Sequence, residues 1–240
     1  MSIRDNVKRV QDCIAASCAR VDRDPASITL VAVSKQKTVG QIIEAVDAGL
    51  RHFGENRVEE GVEKIPQVKA SARGKITWHM VGHVQSRKAK QVVQRFDIVQ
   101  SVDSLKLARR LSRFALESDR VLGAHLEINI SGEASKYGLA GYNWYRDNSV
   151  KANLWRAVSE IVALPNIEVR GLMTMAPYGA EEKAIRRVFA DLRDLRDELT
   201  REKELPLPEL SMGMTDDYQI AIEEGATMIR IGRALFGERV

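Results

Sequence analysis

Hydrophobic positions along this chain change their spacing repeatedly, and the changes divide it into alternating long and short segments. Ile3, Val7, Val10, Ile14 and Cys18 recur at helical spacing, which predicts an amphipathic helix over residues 3–20. The run ITLVAVS at residues 28–34 is apolar without interruption and has the length of a strand. From there the two patterns take turns. Strands are expected at 52–55, 76–81, 97–101, 121–130, 167–173, 209–211 and 227–231. Helices are expected at 38–48, 56–69, 86–94, 104–118, 149–163, 180–203 and 216–224. Near-continuous apolar strands joined by helical crossovers indicate a parallel sheet. Eight such strands in about 200 residues predict an α/β fold, a (β/α)8 TIM-type barrel with an extra N-terminal helix, forming a single domain over residues 1–240. An open doubly wound sheet would carry a glycine-rich fingerprint after its first strand. Here that strand runs into Ser34-Lys35-Gln36-Lys37 instead. One stretch breaks the rhythm: LAGYNWYRDNSVKANL, between Gly138 and Trp155. It reads either as a surface loop whose aromatics pack against the rim or as a lid or partner-docking loop.

Composition narrows the class. A chain of 240 residues with 44% hydrophobic content can bury a barrel-sized core without disulfides or metals. Its two cysteines, Cys13 and Cys18, lie in one amphipathic segment and match neither a metal-ligand pattern nor a disulfide framework, which suits a reducing cytosol. The start, MSIRDNVKRVQ, lacks the apolar core of a secretory signal. No apolar run approaches the roughly 18 residues of a membrane span. The expectation is a cytoplasmic protein with no membrane association. The net charge of +4 comes from 37 basic and 33 acidic residues spread evenly. Arg87-Lys88-Ala89-Lys90 is the densest basic cluster, and without a stripe of basic and aromatic residues it does not make a nucleic-acid surface.

The functional face of such a barrel lies at the C-terminal ends of its strands. Lys35 falls there, and it shares side-chain parity with Val31 and Val33. Near a water-poor site its neutral amine becomes more available, as a Schiff-base lysine requires. Alone, Lys35 reads more readily as solvated surface, with Lys37 as the nearby control. In the last strand Arg230 alternates with Ile229 and Ile231, which points its guanidinium into the barrel. A buried arginine must find an acceptor: Glu127 or Glu55 if the role is structural, a ring nitrogen or an anion if it is functional. His125, Glu127 and Asn129 form a similar polar file on the fifth strand, fitting a ligand or an internal network. Phosphate is often held between the loops after strands seven and eight. Those loops are Ser211-Met212-Gly213-Met214-Thr215 and Ile231-Gly232-Arg233, which supply hydroxyls and closely approachable backbone. Thr215 could equally be a plain helix cap.

The ordered segments VAVSKQK, FGENRVEE, WHMVGHVQSRK, VQSVDS, EINISGEASKYGL, GLMTMAP, LSMGMTDDYQIAI and MIRIGRALFG resemble the successive motifs of the pyridoxal phosphate homeostasis protein family. These barrels are similar to the N-terminal domain of alanine racemase, and the resemblance spans about residues 28–238. It implies pyridoxal 5′-phosphate held as a Schiff base on Lys35, with Arg230 at the pyridine nitrogen. It further implies a phosphate held by Ser211, Thr215, Gly232 and Arg233, and a ring pocket lined by Asn56, His79 and Met173. An arginine against that nitrogen disfavours its protonation and makes the ring a poorer electron sink. The implied role is intracellular carriage of the cofactor without dedicated turnover, possible delivery to PLP-dependent apoenzymes, and a monomer or weak dimer. Arg233 replaces a commoner hydroxyl residue, QSRK replaces QSNK at Arg87, and the aromatic loop is longer than the family pattern. The rival readings are a barrel-only racemase or decarboxylase and a Schiff-base aldolase without PLP. A racemase would need a second base, and the chain's end just after its last strand leaves Tyr137, Tyr142 and Tyr145 as the candidates.

Overall fold

Each apolar run in the computed structural model, which describes residues 2–237, forms a strand, and each amphipathic run forms a helix against it. In chain order these are α1 (Ile3–Ala19), β1 (Thr29–Val33), α2 (Val39–Asp47), β2 (His52–Glu55), α3 (Val58–Ser71), β3 (Thr77–Met80) and α4 (Ala89–Arg95). Next come β4 (Ile98–Val102), α5 (Leu105–Glu117), β5 (Leu122–Asn129), β6 (Leu139–Ala140), α6 (Asn148–Val162) and β7 (Ile167–Met173). The chain continues through α7 (Glu182–Lys203), β8 (Glu209–Ser211), α8 (Tyr218–Glu223), β9 (Met228–Ile231) and α9 (Arg233–Phe236). Strands pair in parallel in the order β4-β3-β2-β1-β9-β8-β7-β5, and a β4–β5 pairing closes the ring. This is a (β/α)8 TIM-type barrel. The short β6 adds to the end of β5 outside the ring.

The extra helix α1 begins with a capping box, Ser2 accepting from the Asp5 amide while Asp5 accepts from the Ser2 amide. Its apolar stripe packs on α2, α8 and α9, and the buried Asn6 donates to the Leu235 carbonyl at 2.9 Å. Strand parity sorts the side chains into two layers. Ala32, Phe53, Trp78, Leu126, Ile229 and Ile231 join one apolar cluster beneath the helices. Val31, Ile98, Met173 and Met228 are buried yet stand apart from that cluster, in the interior of the ring. They share that interior with His79, Gln100, His125, Glu127, Ser211 and Arg230, all buried.

Three local expectations are revised. Residues 86–94 begin with a 3-10 turn (Ser86–Lys88) before α4 starts. Neither β6 nor α9 was anticipated, because two and four residues are too short to set a period. The aromatic segment is largely packed: Trp144 is buried and stacks on Trp155 of α6 at 6.0 Å, with Tyr145 edge-on at 5.8 Å. Trp155 in turn donates from its indole to Glu202 of α7 at 2.7 Å. No described helix is long and apolar enough to cross a membrane.

Phe96 shows how tightly the outer layer is fitted. It is fully buried, and its ring lies where a Cβ on Gly61 of α3 would come within 2.2 Å of it. Truncating it empties that contact, so Phe96→Ala is expected to cost about 3–5 kcal/mol. The loss should appear in urea melts as a lowered midpoint with an unchanged slope.

Candidate functional site

The residues expected at the C-terminal end of the barrel converge there from separate strands. Lys35 follows β1 in a turn and is partly buried. Asn56 follows β2 directly, also partly buried. Its position depends on Gly82, where a Cβ would lie 2.1 Å from the Asn56 carbonyl oxygen. Met173 ends β7 and is in register with Glu127 on one side and Ser211 on the other. Arg230 lies within β9, in register with Val31.

Arg230 is the central group. Its Nη1 donates to Ser211 Oγ at 2.6 Å and its Nη2 to the Thr174 carbonyl at 2.9 Å. Neither expected carboxylate is hydrogen-bonded to it. Glu55 has the parity of Phe53, not of His52, so it faces outward and meets Lys64 of α3. Glu127 does face inward with Arg230 and acts on it only as a nearby charge. Burial draws the Arg230 guanidinium down to about 10, while Asp217 and Glu127 pull it back up.

Behind Arg230 runs a hydrogen-bonded file with a single direction. Ser211 donates to Gln100 Oε1 at 2.6 Å, and the Gln100 amide nitrogen lies 2.9 Å from His79 Nδ1. His79 Nε2 then lies 3.0 Å from His52 Nδ1. Because Gln100 offers its NH2, His79 Nδ1 accepts and its proton sits on Nε2, directed at His52. Burial, with His52 and His125 nearby, holds His79 well below the usual histidine range, so it stays neutral. Thus His79 lies beneath the mouth with both nitrogens engaged. Ser211 is likewise committed, donating once and accepting once, which turns its hydroxyl towards Arg230.

The two loops expected to hold an anion do meet. Gly213 has φ of 94°, and a Cβ there would lie 2.6 Å from Ala221 Cβ, so the loop after β8 needs glycine. The cap of α8 is Asp217, whose carboxylate accepts from the Met214 amide at 2.5 Å. Thr215 is therefore not the cap. Among the described residues none exchanges a hydrogen bond with its hydroxyl. Gly232 precedes α9, and the exposed Arg233 pairs with Asp216 across the gap between the loops. Arg87 is exposed and donates locally to Gln85 at 3.1 Å. A cleft of about 390 Å³ at the same end is lined by His83, Asp103, Lys136 and Tyr137 among others. Tyr137 stacks on His83 at 3.8 Å there.

Gln100, Thr174 and Asp216 are site residues that the pattern reading missed. Gln100 could have been found, since it shares parity with the inward Ile98. Thr174 acts through its carbonyl and leaves no mark in the sequence.

Comparison with known proteins gives a consistent picture. Residues 2–240 match the family model of the alanine racemase N-terminal domain. The chain is 36% identical over 239 residues to the pyridoxal phosphate homeostasis protein of Aquifex aeolicus, covering 100% of this chain and 99% of that protein. It is 40% identical over 238 residues to the protein of the same name from Pseudomonas aeruginosa, covering 99% and 96%. The structure of PipY from Synechococcus elongatus with PLP bound is similar, at a TM-score of 0.78 and 37% identity, covering 93% of this chain and 100% of that one. An alanine racemase of Clostridium difficile shares the fold at a TM-score of 0.77 and 13% identity, over 99% of this chain and 57% of its own.

Glu127 offers a direct test of the interior's electrostatics. Burial, with a smaller contribution from Asp103, pushes its carboxyl from 4.5 up to about 7 against the pull of Arg230. The folded protein therefore keeps a proton that the unfolded chain has already released, and stability falls as pH rises through that window. Glu127→Gln removes the titration. Its stability relative to the natural protein should rise by up to about 3 kcal/mol between pH 5 and pH 8, read from urea midpoints across that range.

Proposed function

This chain belongs to the alanine racemase N-terminal domain family, among its pyridoxal phosphate homeostasis proteins, and from that premise we propose that it binds pyridoxal 5′-phosphate at the barrel mouth and carries it without dedicated turnover. The observation that carries the reading is Arg230, a buried guanidinium with two of its five donors taken by described residues. Such a group calls for a further acceptor, and a pyridine nitrogen is one that needs no counter-charge. When bound, the cofactor supplies an aldehyde that condenses with a lysine amine and a ring that can draw off electron density. Lys35 is the Schiff-base lysine. Asn56 and Met173 line the ring pocket, and His79 supports it from below through Gln100. Thr215, Gly232 and Arg233 hold the phosphate. Ser211 contributes by fixing Arg230 beside them. A phosphate at this place competes with Asp216 for Arg233.

Absence of dedicated turnover fits the same arginine. A guanidinium donor keeps the ring nitrogen unprotonated, which weakens the electron sink available to racemisation and decarboxylation. The tyrosines that could supply a second base each have other contacts. Tyr145 accepts from Arg187 at 2.5 Å, Tyr142 lies over Gly132, and Tyr137 stacks on His83. The relatives carry the name of homeostasis proteins, which supports the non-enzymatic reading. The proposal extends to one domain over residues 1–240, a cytoplasmic location, a monomer or weak dimer, and PLP-dependent apoenzymes as recipients.

Two substitutions test the assignment. Lys35→Ala should abolish both the visible absorbance of bound PLP and the mass increment fixed by borohydride, with an unchanged circular dichroism spectrum. Retention of both at full strength would remove Lys35 from the site. Thr215→Ala deletes a hydrogen bond to a charged group, worth about 1.5–3 kcal/mol, so PLP affinity should fall by roughly tenfold or more. Pyridoxal, which lacks the phosphate, should be little affected; equal weakening of both ligands would show that Thr215 supports the fold alone.

A further inference from the structure

The turn bearing Lys35 is gripped on both flanks by charged side chains from outside the barrel. Ser34, the residue before it, donates its hydroxyl to Glu55 Oε1 at 2.7 Å, and its carbonyl accepts from Lys64 Nζ at 3.0 Å. Gln36, the residue after it, donates its amide to Glu60 Oε2 at 2.7 Å. Lys64 joins the two grips, reaching Glu55 Oε1 at 3.1 Å and Glu60 Oε2 at 2.8 Å. All three donors of its ammonium thus have acceptors within this one cluster. Lys64 is 13% exposed and Glu55 is 0% exposed at their side chains.

This arrangement exceeds what a surface turn needs. Gln36 adopts φ of 59°, a left-handed conformation rare outside glycine and asparagine, and the Glu60 carboxylate holds its amide there. Glu55 keeps its second oxygen buried without a hydrogen-bond partner among the described residues. Buried ion pairs add little to stability because desolvation offsets their attraction, but they can fix geometry. What this one fixes is the backbone immediately before and after Lys35.

We propose that Lys64, acting with Glu55 and Glu60, is a positioning residue for Lys35, setting the turn so that the amine is presented to the cofactor's aldehyde. This rests on the assignment of Lys35 above. The bond served forms between Lys35 Nζ and the aldehyde carbon, while the carbonyl oxygen leaves as water with two protons from the neutral amine. Lys64 touches neither reactant. Its effect falls on the rate and site of that condensation, not on recognition of the phosphate or ring.

The test uses the full chain and its Lys64→Met, Lys64→Arg and Glu60→Ala variants, mixed with PLP and trapped with borohydride over time. Trapped lysines are identified by peptide mass. Affinity for pyridoxine 5′-phosphate, which has the ring and phosphate but no aldehyde, is measured alongside. Trapping at Lys35 should slow by about tenfold to a hundredfold in Lys64→Met, the range expected for misplacing a reacting group, with pyridoxine 5′-phosphate affinity changed by less than about twofold. Lys64→Arg should recover part of the rate, and Glu60→Ala should slow it in the same direction, which keeps the test decisive if Lys64→Met fails to fold. Unchanged trapping in Lys64→Met, or in Glu60→Ala where the first does not fold, would overturn the positioning role. Equal loss for both ligands would also overturn it, by showing a structural role alone. A natural protein that traps PLP elsewhere than Lys35 would overturn the functional assignment itself, and the positioning role with it.

Discussion

Arg230 is the constraint around which the barrel interior is organised. A guanidinium placed inside a ring of strands cannot shed its charge, so the surrounding residues must supply acceptors. Here they are a hydroxyl and a carbonyl, from Ser211 and Thr174, with Glu127 and Asp217 acting from further away. The hydrogen-bonded file behind it then has its direction fixed. Ser211 must present a lone pair to the arginine, so its proton goes to Gln100, which spends its amide on His79, which turns its own proton to His52. Neutrality of His79 follows from the same order, because a second proton on the ring would face the Gln100 NH2.

That order also decides what the mouth can do. An inward carboxylate at the place of Arg230 would favour a protonated pyridine ring and hence carbanion chemistry. On the proposed reading the guanidinium offers the ring nitrogen only donors, so a bound ring would keep its lone pair and stay a weak acceptor of electrons. A carrier of a reactive aldehyde would benefit from this, since side reactions at the α-carbon of a captured amino acid would gain little help. The chain shares its fold with an alanine racemase at 13% identity, and fold alone does not set function.

Much of this was legible in the sequence because strand parity is strict. Arg230 between two isoleucines, and Glu127 between Leu126 and Ile128, could point only inward once a barrel was inferred. The same rule, applied to Glu55 beside Phe53, would have sent it outward to Lys64; treating it as an interior partner overlooked its parity. Ser211 and Thr215 were harder. Both are hydroxyl residues in one glycine-containing segment, and only the end of β8 between them separates a hydroxyl in the ring from one at the rim. The aromatic loop resisted for another reason, since Trp144 finds its partner in Trp155, eleven residues on and in a different element.

The site's parts are secured by independent means, and this separation has a physical logic. Arg230 is fixed by the polar interior, the Lys35 turn by an ion cluster between β2 and α3, and the loops after β8 and β9 by glycine geometry and the Arg233–Asp216 pair. The first is buried and the second largely so, whereas the last pair is exposed, 50% and 64% at its side chains, and so is screened and easily exchanged. A cofactor that must be both retained and surrendered suits that division. On the proposed reading the ring and the lysine would be presented without adjustment, and the phosphate would be gripped where water and competing ions have access. Release would then begin at the Arg233 end, by return of Asp216 to its partner, without disturbing the buried network around Arg230.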